Sequence, residues 1–413
     1  MGEFQIFGLI SGLVVLAFFA NRLFRVTRIP DLVVLLVMGL ALGPGLHWVN
    51  PEQFRTFTHI LGSLALILIL FEGGMELNLR EGIRHFPGGV VLAFLGYGLA
   101  FGAVAATVHW SLWLPWRSAV LLGGVFGCTS STVVMPVLQQ MHVRAPVRVT
   151  LLLESALGDV IAVLMVSTLL RTSTGVVNFS GFMSGFLKDA GIACGMGVIA
   201  GLLWWWLWPR LAAQKFSNTV VFGVVLGIYG ATHAVGGSGL LAVLSFGLVL
   251  GNLPSRGDIA DQETQFLRFH SELSFLVRSF FFVLLGVIVE FLGKTYVLPI
   301  LAILGSLLVS RFLAVQASRV ALRGISAKER ELLLMMMPRG LITAVLAVQV
   351  VQATGEEFSF LPAMAFTTVL ATNLLLVAGS LRTGSEAVTG EPPSTKDEKP
   401  GSRLSGEGDS GLD

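Results

Sequence analysis

Residues 149–170, VTLLLESALGDVIAVLMVSTLL, carry two carboxylates and a hydroxyl inside an otherwise apolar run. The run is long enough to cross a bilayer as a helix. Glu154 and Asp159 therefore lie near mid-membrane, where a charged carboxylate costs several kcal/mol unless it is paired, protonated or hydrated. Ser155 and Asp159 are four residues apart and share a helix face, while Glu154 points elsewhere. That split predicts one acid facing a hydrated pathway and the other held by a structural partner. The bland alternative is that buried arginines neutralise both.

Composition agrees with a membrane setting. The 413 residues are 54% hydrophobic and only 13% charged, with a mean hydropathy of +0.80 and 48 glycines. A soluble domain carries about twice that charged fraction. The two cysteines, Cys128 and Cys194, both sit in apolar segments, which argues against a disulfide framework or a metal cluster. A net charge of +2 spread over short loops provides no nucleic-acid patch. The first segment is apolar from its start, without a basic leader region, and reads as a retained helix.

Apolar windows recur from 4–21 to 360–380 and predict an all-α polytopic protein with about thirteen transmembrane helices. The boundaries of the eighth to tenth, near 217–234, 238–252 and 267–290, are the least sharply drawn. Residues 1–382 form the transport domain. Residues 383–413 are polar and rich in Gly, Pro and Ser, and read as a disordered tail. Arg and Lys crowd alternate loops (Arg22, Arg25, Arg28; Arg80, Arg84; Arg144, Arg148), whereas the intervening ones hold only Arg55, Arg117, Arg171, Lys188 and Lys294. The crowded side is cytoplasmic by the positive-inside bias, which places the N-terminus outside and the tail inside the cell.

Three arginines, Arg278, Arg311 and Arg339, remain within apolar segments alongside Glu72, Glu154 and Asp159, and each needs a partner or water. Asp189 and Glu290 lie near expected helix ends. Two segments are interrupted. The fifth carries Gly123, Gly124 and Gly127 before Thr129-Ser130-Ser131-Thr132 and then Pro136, and the twelfth carries Pro338-Arg339-Gly340 near its middle. Their centres are about 210 residues apart, matching the offset between the first and eighth segments. That pattern points to two inverted six-helix repeats with a transport site at the broken helices.

These motifs, taken together, resemble the monovalent cation:proton antiporter superfamily over most of residues 1–380. RIPDLVVLLVMGLALGPG resembles its second-helix signature, LILFEGGMEL its third-helix motif, and LLLESALGDVIAV the Glu-Ser-x-x-Asn-Asp motif of the sodium/proton exchanger branch. VSRFLAV is similar to its eleventh-helix basic position and MMMPRGLITAVLA to its twelfth-helix Arg-Gly motif. Gly158 stands where that branch has Asn, and Thr129-Ser130-Ser131 where it has Thr-Asp-Pro. The overlapping segment Ser130-Ser131-Thr132-Val133-Val134 resembles the potassium efflux branch instead.

The resemblance implies that Asp159 binds the cation and carries the proton, with Ser155, Thr129 and Ser130 supplying neighbouring oxygens. It implies a Glu154–Arg311 ion pair and an acid near the route at Glu72. It further implies a homodimer in which a core of helices 4–6 and 11–13 rocks against dimerisation helices 1–3 and 8–10.

The chemistry of the residues agrees. A buried carboxylate holds either a proton or a small hard cation, and that competition is exchange. Arg339 is expected to satisfy carbonyls or offset dipoles at its break, and Arg278 to pair with Glu72 or another interior acid. Thr129, Ser130 and Ser131 have a blander reading as hydroxyls bonded to backbone carbonyls. His59, His85, His142 and His233 could sense pH or could simply be interfacial. No nucleotide, zinc or dinucleotide motif occurs, so no cofactor and no nucleotide-binding regulatory domain is expected. The expected function is electroneutral exchange of Na+ or K+ for H+ by a multi-pass cell-membrane protein active in pH homeostasis. A gated monovalent cation channel along the same polar pathway is the alternative.

Overall fold

The computed structural model describes residues 3–27, 29–46, 54–77, 87–141, 143–171, 179–211, 217–253, 260–290, 292–322 and 325–387. Among the described residues there is no strand. The helices are α1 (Glu3–Thr27), α2 (Asp31–Leu40), α3 (Arg55–Glu76), α4 (Pro87–Leu112), α5 (Trp116–Phe126), α6 (Ser131–Gln139), α7 (Ala145–Arg171) and α8 (Phe179–Leu211). They continue as α9 (Ser217–Ala234), α10 (Gly239–Asn252), α11 (Ala260–Ile288), α12 (Val297–Ala317), α13 (Ala327–Met335), α14 (Leu341–Thr354) and α15 (Leu361–Ala387).

Local chemistry sets several of these boundaries. Pro30 and Pro115 stand immediately before α2 and α5, where a fixed φ is compatible with a helix start. Pro44 lacks the N–H that a regular turn needs, and α2 runs on into a π-turn over Ala41–Gly45. Among the described residues, eight segments are long and apolar enough to cross a membrane, and five further apolar helices span only 10–17 residues. The all-α polytopic architecture is as expected, but length and composition do not fix the number of crossings at thirteen. α15 continues to Ala387, past the boundary read at residue 382, and residues 388–413 of the expected tail lie outside the described residues.

The helices pack in two groups. One joins α4, α5, α6, α7, α12, α13, α14 and α15; the other joins α1, α2, α3, α8, α9, α10 and α11. They meet chiefly where α3 lies on α14 and α7 on α8. The packing is nearly repeated seven segments further along the chain, each broken helix counted once. The α1–α2 contact recurs as α9–α10, α2–α11 as α10–α3, α4–α7 as α12–α15, and α1–α11 as α9–α3.

The two equivalent crossings use the same device. In lipid, helices gain little from hydrophobic exclusion and must approach closely to associate. At the α2–α11 crossing a Cβ on Gly286 would stand 2.8 Å from the Gly39 Cα; at α3–α10 one on Gly74 would stand 2.9 Å from the Leu248 amide nitrogen and 3.2 Å from the Gly247 carbonyl carbon. Gly39 and Gly247, like Gly74 and Gly286, are about 210 residues apart, the offset of the two broken helices.

Two ion pairs add what the sequence left open. Arg278 on α11 bonds Asp31 at the start of α2 (3.2 Å), not Glu72. Asp31 opens a helix after Pro30, and only packing reveals that α11 brings an arginine to it. Asp189 is not terminal: it lies within α8, is buried, and meets Arg171 at 3.4 Å. Arg171, the last residue of α7, also donates to the carbonyls of Gly236 (2.6 Å) and Gly237 (3.3 Å), so it ties one helix group to the other.

At the N-terminus of α13, Ser326 and Glu329 form a reciprocal capping box, and Glu329 also accepts from Arg144, which stands just before α7. The Arg144 hydrogen bonds, helped by those from Ser326, hold the Glu329 carboxyl down at about 2. A carboxyl lowered on folding stabilises fully above the ordinary glutamate range, about 4.3, and loses that contribution as pH falls through it toward the folded value. Glu329→Gln is therefore expected to lower the melting temperature at pH 7, with the gap to wild type narrowing at pH 3. A gap that widened on acidification would contradict this clamp.

Candidate ion site at the crossed helix breaks

The two interruptions seen in the sequence meet in space. α5 ends at Phe126 and α6 begins at Ser131; α13 ends at Met335 and α14 begins at Leu341. The non-helical links cross and are joined by a hydrogen bond from the Ser130 amide to the Pro338 carbonyl (2.9 Å). Gly340 is required at the crossing because a Cβ there would collide with the Ser130 side chain. The Cys128 thiol and the Thr343 hydroxyl face each other at 3.9 Å across the same junction.

Broken helices leave backbone groups without helical partners, and these must be met inside the protein. α15 supplies two such contacts. Thr372 Oγ1 accepts from the Arg339 amide (3.0 Å), and Asn373 Nδ2 donates to the Arg339 carbonyl (2.7 Å). Neither residue stood out in the sequence, because a Thr-Asn pair in an apolar helix carries no sign of what it faces.

Asp159 sits at the junction on the continuous helix α7 and is 1% exposed. Its Oδ2 accepts the Ser131 hydroxyl hydrogen (2.5 Å) and the Ser131 amide hydrogen (3.3 Å). The carboxylate thereby caps the N-terminus of the half-helix α6, where the helix dipole favours negative charge. Oδ1 is buried without a hydrogen-bond partner among the described residues.

Ser131, rather than Ser130, is thus the hydroxyl that touches the acid. Ser130 was the expected oxygen donor, but its Oγ pairs with Thr132 Oγ1 (2.8 Å). The distinction depends on where α6 starts: its first residue presents both amide and side chain to whatever lies beyond the helix end. A helix predicted to begin at Ser131 would have been the signal.

Ser155 lies one turn before Asp159, buried, as the spacing predicts, but its hydroxyl donates to the carbonyls of Leu151 (2.9 Å) and Leu152 (3.1 Å). It can offer a cation only its oxygen lone pairs. Thr129 lines a small cavity with Tyr97, Glu154, Gly158, Arg311 and Arg339.

Glu154 and Arg311 form the expected pair. Both are buried; Arg311 Nη1 donates to Oε1 and Nη2 to Oε2 (3.1 Å), while Nε donates to the Leu333 carbonyl (2.8 Å). One guanidinium thereby joins α7, α12 and the end of α13. Its planar fork suits this bidentate task.

Arg339 departs from expectation. It is 2% exposed, yet Nε and Nη1 bond no carbonyl and no other partner among the described residues. Its backbone is what the break immobilises, and its side chain lines the cavity shared with Glu154 and Thr129.

Glu72 is half-buried on α3, in the other helix group, and Arg278 is engaged with Asp31. The structure therefore does not bring those two to the Asp159 junction. Of the histidines, His233 stacks on Tyr229 at 6.3 Å, and His85 and His142 lie outside the described residues.

Comparison with known proteins agrees with the fold and with the family resemblance. Residues 13–380 match the family described as Sodium/hydrogen exchanger, transmembrane. The chain is 28% identical over 375 residues to a K(+)/H(+) antiporter NhaP2 of Shewanella sp. (strain ANA-3), a match covering 88% of this chain and 64% of that protein. It is 27% identical over 338 residues to Na(+)/H(+) antiporter 1 of Methanocaldococcus jannaschii, covering 78% of each. The chain thus spans under two thirds of the length of the Shewanella relative.

The structure of the sodium proton antiporter MjNhaP1 from Methanocaldococcus jannaschii at pH 8 superposes with a TM-score of 0.78 at 22% identity, covering 94% of this chain and 98% of that one. An electron-microscopy structure of the same protein gives 0.80 at 23% identity. The family match covers most of the chain and includes both broken helices and α7. This chain is a multi-pass membrane protein belonging to the sodium/hydrogen exchanger family.

Proposed function

We propose that this protein is a secondary active antiporter that exchanges a monovalent cation, Na+ or K+, for H+ by alternating access. The observation that carries the reading is Asp159. It is a buried carboxylate at the crossing of two broken helices, with one oxygen held by Ser131 and the other without a hydrogen-bond partner among the described residues. Such an oxygen can take a proton or a hard cation, and each ligand expels the other. In this reading Ser155 and Thr129 add neutral oxygens. The ions are cargo, and the cycle as read requires no resident cofactor. The named activities of the Shewanella and Methanocaldococcus relatives support this class of reaction. No observation favours the channel alternative.

In this reading the group containing α4–α7 and α12–α15 is the moving core, and the group containing α1–α3 and α9–α11 holds a second copy in a homodimer within the lipid. Loop charge orients the N-terminus outward and the C-terminal tail to the cytoplasm. Purified protein in liposomes should move protons when sodium or potassium gradients are imposed. Cation flux without obligatory proton movement would support a channel instead.

The acids present also set the stoichiometry. Glu154 is neutralised by Arg311, which leaves Asp159 as the titrating carboxylate at the junction. One proton then exchanges for one monovalent cation, and no net charge crosses per cycle. The expected result is a transport rate independent of imposed membrane potential, with no sustained current on solid-supported membranes. An ion-dependent steady current would bring Glu72 into the transport step.

A further inference from the structure

Asp159 presents its two oxygens unequally. Oδ2 receives both hydrogens that Ser131 can give, whereas Oδ1 receives none from the described residues. Charge-assisted hydrogen bonds of this kind draw on the negative charge of the acceptor. Cargo reaching Asp159 therefore meets one free carboxylate oxygen of reduced field rather than a bidentate pair. Ser155, one helical turn before Asp159, and Thr129, two residues before Ser131, offer neutral oxygens only.

A low-field oxygen site compensates poorly for stripping water from a small, strongly hydrated ion and better for a larger one.

Building on the antiport reading above, we propose that Ser131 is the specificity-determining residue of the site. By holding Asp159 Oδ2 with its hydroxyl and amide, it leaves a single weakened oxygen for cargo and tilts the site toward potassium over sodium.

The test is exchange in proteoliposomes by wild type, Ser131→Ala and Ser131→Thr, with KM and kcat measured separately for potassium and sodium. Wild type is expected to show the lower KM for potassium. Ser131→Ala should shift the potassium-to-sodium preference toward sodium by about tenfold, the effect of losing one hydrogen bond to a charged group. The change should fall on KM more than on kcat, and Ser131→Thr should restore the wild-type preference. A purely structural role would lower kcat for both ions alike and leave their ratio unchanged. If the alanine variant does not assemble, Ser131→Cys, similar in shape but a weaker donor, carries the same comparison. An unchanged ion ratio in the alanine or cysteine variant would overturn the proposal, as would a wild type that exchanges protons but prefers sodium. Those outcomes leave antiport standing. Wild-type protein that exchanged no alkali cation for protons would overturn the antiport reading, and this proposal with it.

Discussion

Asp159→Asn is expected to reduce proton-coupled cation exchange to the protein-free background while leaving the fold intact. An amide has nearly the shape of a carboxylate, and its oxygen can still accept the Ser131 hydroxyl and amide hydrogens that now reach Oδ2. The cap on α6 therefore survives, and a buried ionisable group is exchanged for a neutral one, so thermal stability should not fall. What disappears is the capacity to ionise. The variant can neither release a proton at the junction nor offer a formal charge to a cation, and the loss should be complete rather than graded. Proteoliposome flux with sodium, potassium and lithium, run beside a melting curve of the same preparation, separates lost chemistry from lost structure. A folded Asp159→Asn protein exchanging near the wild-type rate would move the site elsewhere.

The second large effect is on stability. Glu154 and Arg311 are each 4% exposed in their side chains and bonded to one another, with Arg311 also satisfying the Leu333 carbonyl. Removing one partner of such a pair strands a buried charge and costs about 3–5 kcal/mol. Glu154→Ala and Arg311→Ala should each lower the unfolding temperature markedly. The double variant should cost less than the sum of the two, with a coupling of about 0.5–3 kcal/mol. Arg311→Ala should be the worse single change, because it also frees a carbonyl at the end of α13. Strict additivity would show that the pair is not an energetic unit. The same logic warns against reading lost transport in Glu154 variants as evidence of ion contact: the defect arises in packing, one helix face away from Asp159.

Much of this molecule was legible in one dimension. Apolar windows of bilayer length required helices, since an unpaired backbone is not tolerated in lipid. Gly and Pro clusters at 123–136 and 338–340 marked the two breaks, and their matched offset implied a repeat that the contacts and the Gly39, Gly74, Gly247 and Gly286 crossings reproduce. Asp159 was conspicuous because a carboxylate is expensive in an apolar helix and persists only for a reason. The same cost called for a partner to Glu154, and the family resemblance selected Arg311 from the three buried arginines.

What the sequence could not decide was which polar groups face one another across helices. Arg278 found Asp31 instead of Glu72 because α11 packs on α2. Ser131 instead of Ser130 reached Asp159 because α6 begins at that residue and aims its first amide and hydroxyl at α7. Thr372 and Asn373 met the Arg339 backbone, leaving the Arg339 guanidinium against the cavity. Hydrophobic length and backbone breakers act locally, within one helix, so the order of residues records them. A hydrogen bond spans about 3 Å, and a shift of one residue turns a side chain about 100° around its helix, so contacts of that kind exist only once the helices have docked.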